Sequence, residues 1–270
     1  MWEVNSRCIN CMASRTMAPE LLEERDGRSV FVRQPVTDDE MVAAWRALEV
    51  CPTAAVQAPR ELKKPTSLFP QELTADVFRL GFNARASYGA HSFFATAAGA
   101  RVMVDAPRWS PQLAAWMSER GGLNHILLTH RDDVADAERY AKHFRSRVWI
   151  HEHDAGSAPF ATDIWRGDRP KETIAGIKVL AVPGHTRGSV MYLLEDRYLF
   201  TGDSLSWNTK TRALEAFRDV CWYDWSEQLR SLQRLVYETF SWVLAGHGGS
   251  VELSPLEMQT QLTRFLAGSS

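Results

Sequence analysis

Long apolar runs are scarce in this sequence. None approaches the ~20 residues that a membrane-spanning helix needs, and the first residues lack the charged-then-apolar pattern of a secretory signal. An excess of charge is also missing, because the formal net charge of −2 gives no basic surface for nucleic acid. We therefore expect a cytoplasmic protein with neither a membrane nor a nucleic-acid partner.

Cysteine is rare as well, with four residues in the chain of 270. Three of them (Cys8, Cys11 and Cys51) lie near the N-terminus, which does not fit a dispersed disulfide framework. Cys8 and Cys11 form a C-x2-C pair, and Cys51 is followed by a proline. Between them the sequence predicts a strand over 29–33 and a helix over 38–50 with a capping box at its start.

This arrangement of cysteines resembles a bacterial ferredoxin-type iron–sulfur segment. The resemblance implies a small ferredoxin-like α+β domain over residues 1–60 with cluster ligands at Cys8, Cys11, position 14 and Cys51. Position 14 is Ser14, however, and a serine oxygen is a harder ligand that ionises less readily than a thiol. Three alternatives stay open: a fold that has lost its cluster, a 3Fe–4S cluster on three cysteines, or a 4Fe–4S cluster with a serine or exogenous fourth ligand.

A proline-rich polar stretch separates this segment from the rest, and we place a linker at 61–72 and a second domain at 73–270. In the second domain, predicted strands alternate with predicted helices, which favours sheets covered by helices. One of these helices is expected to run from about Leu229 through Phe240, and Ser254 and Pro255 open the last one.

Four apolar strand-like runs end in a small residue followed by a residue type that binds metals. The four are His130, His185, Asp203 and His247. A single histidine after a strand is usually structural. Four such cases are harder to explain in that way, because strand ends at one edge of a sheet converge in space.

The motifs resemble those of the metallo-β-lactamase superfamily, which includes glyoxalase II-type hydrolases. They appear in the family's order: Asp105 in V-M-V-D-A-P, His130 in L-T-H-R-D-D, His185 in P-G-H-T-R-G-S, Asp203 in T-G-D-S and His247 in A-G-H-G. The resemblance implies an α/β (α+β) chain with an αββα sandwich, and it implies that Asp105 orients a ligand loop.

The sequence departs from the family at the His130 loop, where the superfamily reads H-x-H-x-D-H. Position for position, Asp132 replaces the second His, and Val134 and Ala135 replace the last pair. A two-residue insertion would align Asp136 with the Asp, but an alanine would still replace the last His. The loop therefore loses the imidazole that serves the second metal.

We expect one tightly held Zn or Fe and a doubtful second site, since carboxylate ligands shift preference from Zn toward harder metals. The expected metal ligands are His130, Asp132, His185, Asp203 and His247. Asp132, Asp203 and His247 are also the expected catalytic residues. Asp133 and Asp136 stay open as the alternative carboxylate ligand, although acidic residues also favour a helix N-terminus.

His91 and the run His151-Glu152-His153-Asp154 resemble metal sites in composition, but the family gives them no role. We expect the run to be a polar loop.

Three functions compete. The first is a metallohydrolase of a small ester, thioester, lactone or amide that uses a metal-bound hydroxide. The second is an iron-dependent oxidoreductase coupled to the N-terminal cluster, and the third is a non-catalytic scaffold with a depleted metal site. A small-molecule substrate is the expected partner, with a redox partner and a homodimer as open alternatives.

Overall fold

A computed structural model describes residues 1–168, 174 and 176–268. The strands are β1 Glu3–Val4, β2 Leu22–Arg25, β3 Arg28–Phe31, β4 Val56–Gln57, β5 Gln71–Thr74, β6 Val77–Arg79, β7 Phe93–Ala97, β8 Ala100–Val104, β9 His125–Leu127, β10 Arg147–His151, β11 Asp163–Trp165, β12 Ile177–Ala181, β13 Val190–Leu194, β14 Tyr198–Gly202, β15 Ser206–Asn208, β16 Ala213–Glu215, β17 Trp242–Ala245 and β18 Val251–Glu252. The helices are α1 Ala13–Met17, α2 Asp38–Glu49, α3 Pro111–Glu119, α4 Ala137–Phe144, α5 Trp225–Gln233 and α6 Pro255–Gly268.

Two sheets form the centre of the molecule. The first has the order β11-β10-β9-β8-β7-β6-β5, and the second has the order β12-β13-β14-β17-β18. Side chains from both sheets meet between them, among them Phe93, Leu127, Trp149, Tyr192 and Phe200, and all are buried. Helices α3 and α4 pack on the outer face of the first sheet, and α5 and α6 pack on that of the second. The predicted αββα sandwich is confirmed.

The N-terminal unit consists of two small helices and two two-stranded sheets, β1-β4 and β2-β3. Helix α2 begins with the predicted capping box, in which Thr37 and Glu40 each bind the other's backbone amide. The buried side chains of this unit, Trp2 and Trp45 among them, are continuous with the apolar cluster on the first sheet's outer face, which includes Phe94 and Met103. The unit is therefore packed onto the sandwich. β5 begins at Gln71, within the segment predicted as a linker.

One predicted helix ends earlier than expected. Helix α5 stops at Gln233 and tightens into a 3-10 turn over Arg234–Tyr237, so the expectation of a helix through Phe240 was wrong. Arg234 donates to the carbonyl of Ala181 at 2.7 Å, which holds the chain where it turns back toward β17. Phe240 is buried outside the helix. Among the described helices, none is both long enough and apolar enough to cross a membrane.

Candidate metal centre

The four strand ends singled out in the sequence lie at one edge of the sandwich. His130 follows β9, His185 follows β12, Asp203 follows β14 directly, and His247 follows β17. Strands β12 and β14 are both antiparallel to β13, and β14 is parallel to β17, so the carboxyl ends of all three share one edge of the second sheet. This topology explains why residues far apart in sequence meet.

His130, His185 and Asp203 form the first group of candidate ligands. Oδ2 of Asp203 lies 3.5 Å from Nε2 of His130 and 3.7 Å from Nε2 of His185. Two ligands of one tetrahedral zinc ion lie about 3.4 Å apart, since each is about 2.1 Å from the metal. Oδ2 of Asp132 lies 3.6 Å from Nε2 of His185 and 3.9 Å from Nε2 of His130. Asp132 therefore adjoins this group from its open side.

Both imidazoles are buried, and within the described part of the chain neither Nε2 atom has a hydrogen-bond partner. A buried polar atom without a partner is costly, so such atoms in a folded protein call for an explanation. Two unpartnered nitrogens and a carboxylate at ligand spacing fit a bound cation.

Asp133, Asp203 and His247 form the second group, whose ligand atoms also lie within 4.8 Å of one another. Nδ1 of His247 is 2.9 Å from Oδ2 of Asp203, so Asp203 belongs to both groups. Asp133 is 1% exposed, and among the described residues neither of its oxygens has a hydrogen-bond partner. A fully buried carboxylate in this state needs a positive charge beside it.

The pKa shifts of the residues at this site also favour a bound cation. Burial, followed by the neighbouring charge of Asp203, raises the pKa of Asp133 well above its usual value. Burial lowers the pKa of His130, but Asp133 and Asp203 outweigh it and raise that pKa to about 10. His130 and Asp133 therefore hold protons, which a divalent cation would displace on binding.

Asp105 orients the His130 ring through Thr129, as the resemblance implied. The amide and hydroxyl of Thr129 donate to the Asp105 carboxylate at 2.8 and 2.9 Å. Because that hydroxyl proton is used, the Thr129 oxygen accepts from Nδ1 of His130 at 2.9 Å. This bond leaves Nε2 of His130 free to face the site as a ligand.

Of the acidic alternatives in this loop, the structure brings Asp132 and Asp133 to the centre and Asp136 elsewhere. Asp136 lies directly before α4, and its carboxylate accepts from the backbone amide of Trp109 at 2.6 Å. Asp133 instead takes the position beside His247. The sequence ranked Asp132 first, and in the structure Asp132 is 44% exposed at its side chain whereas Asp133 is enclosed.

The three N-terminal cysteines and Ser14 border one small cavity. The amide of Ser29 donates to Sγ of Cys8 at 3.4 Å, and the amide of Ala55 donates to Sγ of Cys51 at 3.1 Å. Amide–sulfur bonds of this kind support thiolate ligands of iron–sulfur clusters.

The same cavity does not match a cluster with four protein ligands. The Ser14 hydroxyl donates to the carbonyl of Ala47 at 2.8 Å and is buried. The free volume is about 10 Å³, room for about one water molecule. A single zinc ion is not indicated either, because the groups of close ligand atoms found among the described residues include no cysteine. Three cysteine sulfurs border the cavity, and the described residues supply no fourth ligand, because the Ser14 hydroxyl is bonded to Ala47.

The cysteine loop also borders a second cavity. Cys11 and Met12 line both the cysteine cavity and a large open pocket of about 1030 Å³ over the metal centre. The Tyr88 hydroxyl donates to the carbonyl of Ile9, and the Tyr88 carbonyl lies 3.3 Å from Nε2 of His247. The N-terminal unit therefore forms one wall of the pocket.

The rim of this pocket combines apolar and cationic side chains. Tyr88, Val220 and Trp222 are exposed there, and Arg131 and Arg218 lie among them. The Trp222 ring centroid is 6.5 Å from that of His185. Trp222 therefore forms part of the pocket wall beside His185.

Two family models match the chain. One, described as a 4Fe-4S single cluster domain of Ferredoxin I, matches residues 4–58. The other, described as the metallo-beta-lactamase superfamily, matches residues 86–263, which is more than half of the chain. The chain belongs to the metallo-β-lactamase superfamily. Both resemblances stated from the sequence are confirmed.

Among curated relatives, the chain is 34% identical over 154 residues to a hydroxyacylglutathione hydrolase of Cereibacter sphaeroides (strain ATCC 17029 / ATH 2.4.9), covering 55% of this chain and 58% of that one. The chain is also 32% identical over 142 residues to a hydroxyacylglutathione hydrolase of Rhodopseudomonas palustris (strain BisB5). This match covers 51% of this chain and 54% of that relative. The chain thus spans little more than half the length of these relatives.

Solved structures agree on the fold. DIM-1 metallo-beta-lactamase exposed to ceftazidime superposes with a TM-score of 0.54 at 18% identity, covering 74% of this chain and 96% of that one. BLEG-1 B3 metallo-beta-lactamase superposes with a TM-score of 0.51 at 19% identity, and the match covers 65% of this chain and 93% of that one. At this identity the likeness extends to the fold alone.

Proposed function

We propose that the protein is a metal-dependent hydrolase that cleaves a small thioester, with esters, lactones and amides as the wider class. The observation that carries the proposal is a set of buried ligand atoms on His130, His185, Asp133 and Asp203. Among the described residues these atoms have no hydrogen-bond partner, and they lie beside an open pocket. Relatives named hydroxyacylglutathione hydrolase support the thioester, because an acyl group on glutathione is a thioester.

When bound, a divalent cation lowers the pKa of a coordinated water toward ~7 and polarises the scissile carbonyl. His130, His185 and Asp203 would hold it, with Asp132 at the open side. The side-chain contact with His185 outweighs burial and lowers the pKa of Asp132, so its carboxylate is ionised at neutral pH. An ionised, half-exposed carboxylate at the pocket base is placed to accept a proton from the attacking water.

Asp203 and His247 have orienting roles in this scheme. Asp203 lies between the two ligand groups. Burial raises the pKa of Asp203, but His247 and His130 outweigh burial and hold that pKa well below its usual range. His247 is fixed by Asp203 on one side and by the carbonyl of Tyr88 on the other. The rim of Tyr88 and Trp222 would exclude water from an apolar acyl group, and the neighbouring arginines would favour an anionic substrate.

The test is a panel of thioester, ester and lactone substrates with the metal-loaded protein. We expect the thioester to be cleaved with the highest kcat/KM, measured by trapping the released thiol with a chromogenic reagent. Asp203→Asn should lose turnover with all substrates. Absence of turnover on every class by protein with full metal content would overturn the proposal.

One observation favours the oxidoreductase alternative, namely that Cys11 borders both the cysteine cavity and the metal pocket. Iron in both places would lie on either side of the Cys11–Met12 segment. Elemental analysis and the visible spectrum of anaerobically purified protein separate the two functions, since zinc without visible absorption supports the hydrolase.

A further inference from the structure

Asp154 is a buried carboxylate that the metal centre and the proposed chemistry do not use. It lies just after β10, is 2% exposed, and closes the His151-Glu152-His153-Asp154 run that resembled a metal site in composition. Two other members of the run bind Gly167 instead: Nε2 of His151 contacts its carbonyl at 3.2 Å, and Glu152 accepts from its amide at 2.9 Å. Among the described residues, the run appears in no group of ligand atoms at metal spacing.

The partners of Asp154 belong to the two loops that carry the histidines of the first ligand group. Its Oδ2 accepts from the amide of Arg131 at 3.0 Å, directly after His130. The same oxygen accepts from the Thr186 hydroxyl at 2.5 Å, directly after His185, and Oδ1 accepts from the amide of Gly188 at 3.2 Å. One side chain thus joins loops that are more than fifty residues apart in sequence.

All three partners are donors, so the site requires an acceptor-only group. The Thr186 hydroxyl has one proton, and it is given to Asp154. Ser189 completes the arrangement, because its oxygen accepts from the Thr186 amide and its hydroxyl donates to the Thr186 oxygen, both at 2.9 Å. The Asp154 carboxylate offers two acceptor oxygens, which satisfy all three donors in this buried space.

The approach of the two loops at Asp154 is close. A Cβ on Gly188 would lie 2.6 Å from Cγ of Asp154, so the His185 loop packs directly against the carboxylate. Nε2 of His130 and Nε2 of His185 must both reach one ion, and their separation depends on how these two loops are fixed.

We propose that Asp154 is a positioning residue that sets the spacing of His130 and His185, and through it the affinity of the first metal. The inference rests on the proposed metal centre but not on the identity of any substrate. Residues that orient metal ligands without binding the metal typically contribute about 10–100-fold to metal affinity.

The test measures zinc affinity by competition with a chromogenic chelator, without substrate. We expect Asp154→Ala to weaken zinc binding by about 10–100-fold. Asp154→Asn should lose less zinc affinity than Asp154→Ala. The side-chain oxygen of the asparagine can keep the bonds to Arg131 and Thr186, whereas its NH2 group would face the amide of Gly188. Glu152→Gln, a half-exposed neighbour on the same loop, is the matched control and should bind zinc like the parent.

A second readout separates positioning from general damage. If Asp154 acts through the ligand loops, saturating metal should restore much of kcat in the Asp154 variants while KM for substrate stays near the parent value. Should Asp154→Ala fail to fold, Thr186→Val removes one of the three donors and should weaken zinc binding by a smaller factor. Parent-like zinc affinity in a folded Asp154→Ala or Asp154→Asn protein would overturn the inference. Failure of every substrate assay would count against the hydrolase proposal and leave the zinc result standing.

Discussion

Replacing His185 with alanine isolates the contribution of one ligand to the metal centre. The His185 loop is held by its backbone, since the amide of Trp222 donates to the His185 carbonyl at 2.9 Å and the amide of Val182 donates to Ser189 at 2.8 Å. The imidazole Nε2 has no hydrogen-bond partner among the described residues. The substitution therefore removes a ligand atom while the bonds that shape the loop remain.

The magnitude follows from the free energy of metal binding. The binding free energy of zinc held by four protein ligands is about 10–16 kcal/mol, so one ligand contributes about 2.5–4 kcal/mol. The affinity of His185→Ala should consequently fall by about two to three orders of magnitude. Because the lost nitrogen has no hydrogen-bond partner among the described residues, thermal stability without metal should change little. The stabilisation by added zinc should shrink.

The assay is elemental analysis after dialysis, followed by a zinc titration and measurement of turnover. His153→Ala is the matched control, since His153 is exposed and lies outside both ligand groups. We expect loss of retained metal and of turnover in His185→Ala and parent behaviour in His153→Ala. Full metal content in dialysed His185→Ala protein would refute the assignment of this residue as a ligand.

Three further predictions concern the candidate metal centre and the cysteine cavity. The parent protein should retain close to one ion per chain after dialysis, because the second group has a single imidazole; two tightly held ions would show that Asp133 and its neighbours complete a second site. Ser14→Cys should take up more iron than the parent on anaerobic reconstitution with iron and sulfide, and equal uptake would contradict the ferredoxin-type chemistry of this unit. Burial raises the pKa of the Cys11 thiol to about 11. At pH 8, Cys11 of the cluster-free native protein should therefore be alkylated far more slowly than Cys11 of the unfolded protein. Equal alkylation rates, measured by mass spectrometry, would contradict this expectation.

The candidate ligands that follow strands were predictable from the sequence, whereas the choice among the acidic residues of the turn after His130 was not. His130, His185, Asp203 and His247 each end an apolar run, and the side of the sheet on which a strand ends is fixed by topology. Asp133 lies in an irregular turn between β9 and α4, where no periodicity tells which side chain points inward. Its burial depends on contacts with Asp203 and His247, which are distant in sequence.

Asp154 shows a second limit of the same kind. The run of His, Glu, His and Asp looked like a candidate metal site or a polar loop, because composition alone reports which groups are present and not which atoms they face. The structure gives its first three members local contacts and gives Asp154 three donors from other loops. That role depends on long-range packing, for which a single sequence carries no signal.

The N-terminal unit and the second ligand group are joined through His91, which is 1% exposed. Burial lowers the pKa of His91 well below its usual value, so the ring is neutral and carries one proton. Asn83 donates to Nδ1 at 3.1 Å, which places that proton on Nε2, from which it is donated to the Thr16 hydroxyl of α1 at 2.8 Å. The backbone amide of His91 donates to the carbonyl of Gly246 at 2.8 Å, directly before His247. A ferredoxin-like unit that lacks one cluster ligand thus still has a structural reason to be kept, because it holds the loop that presents His247.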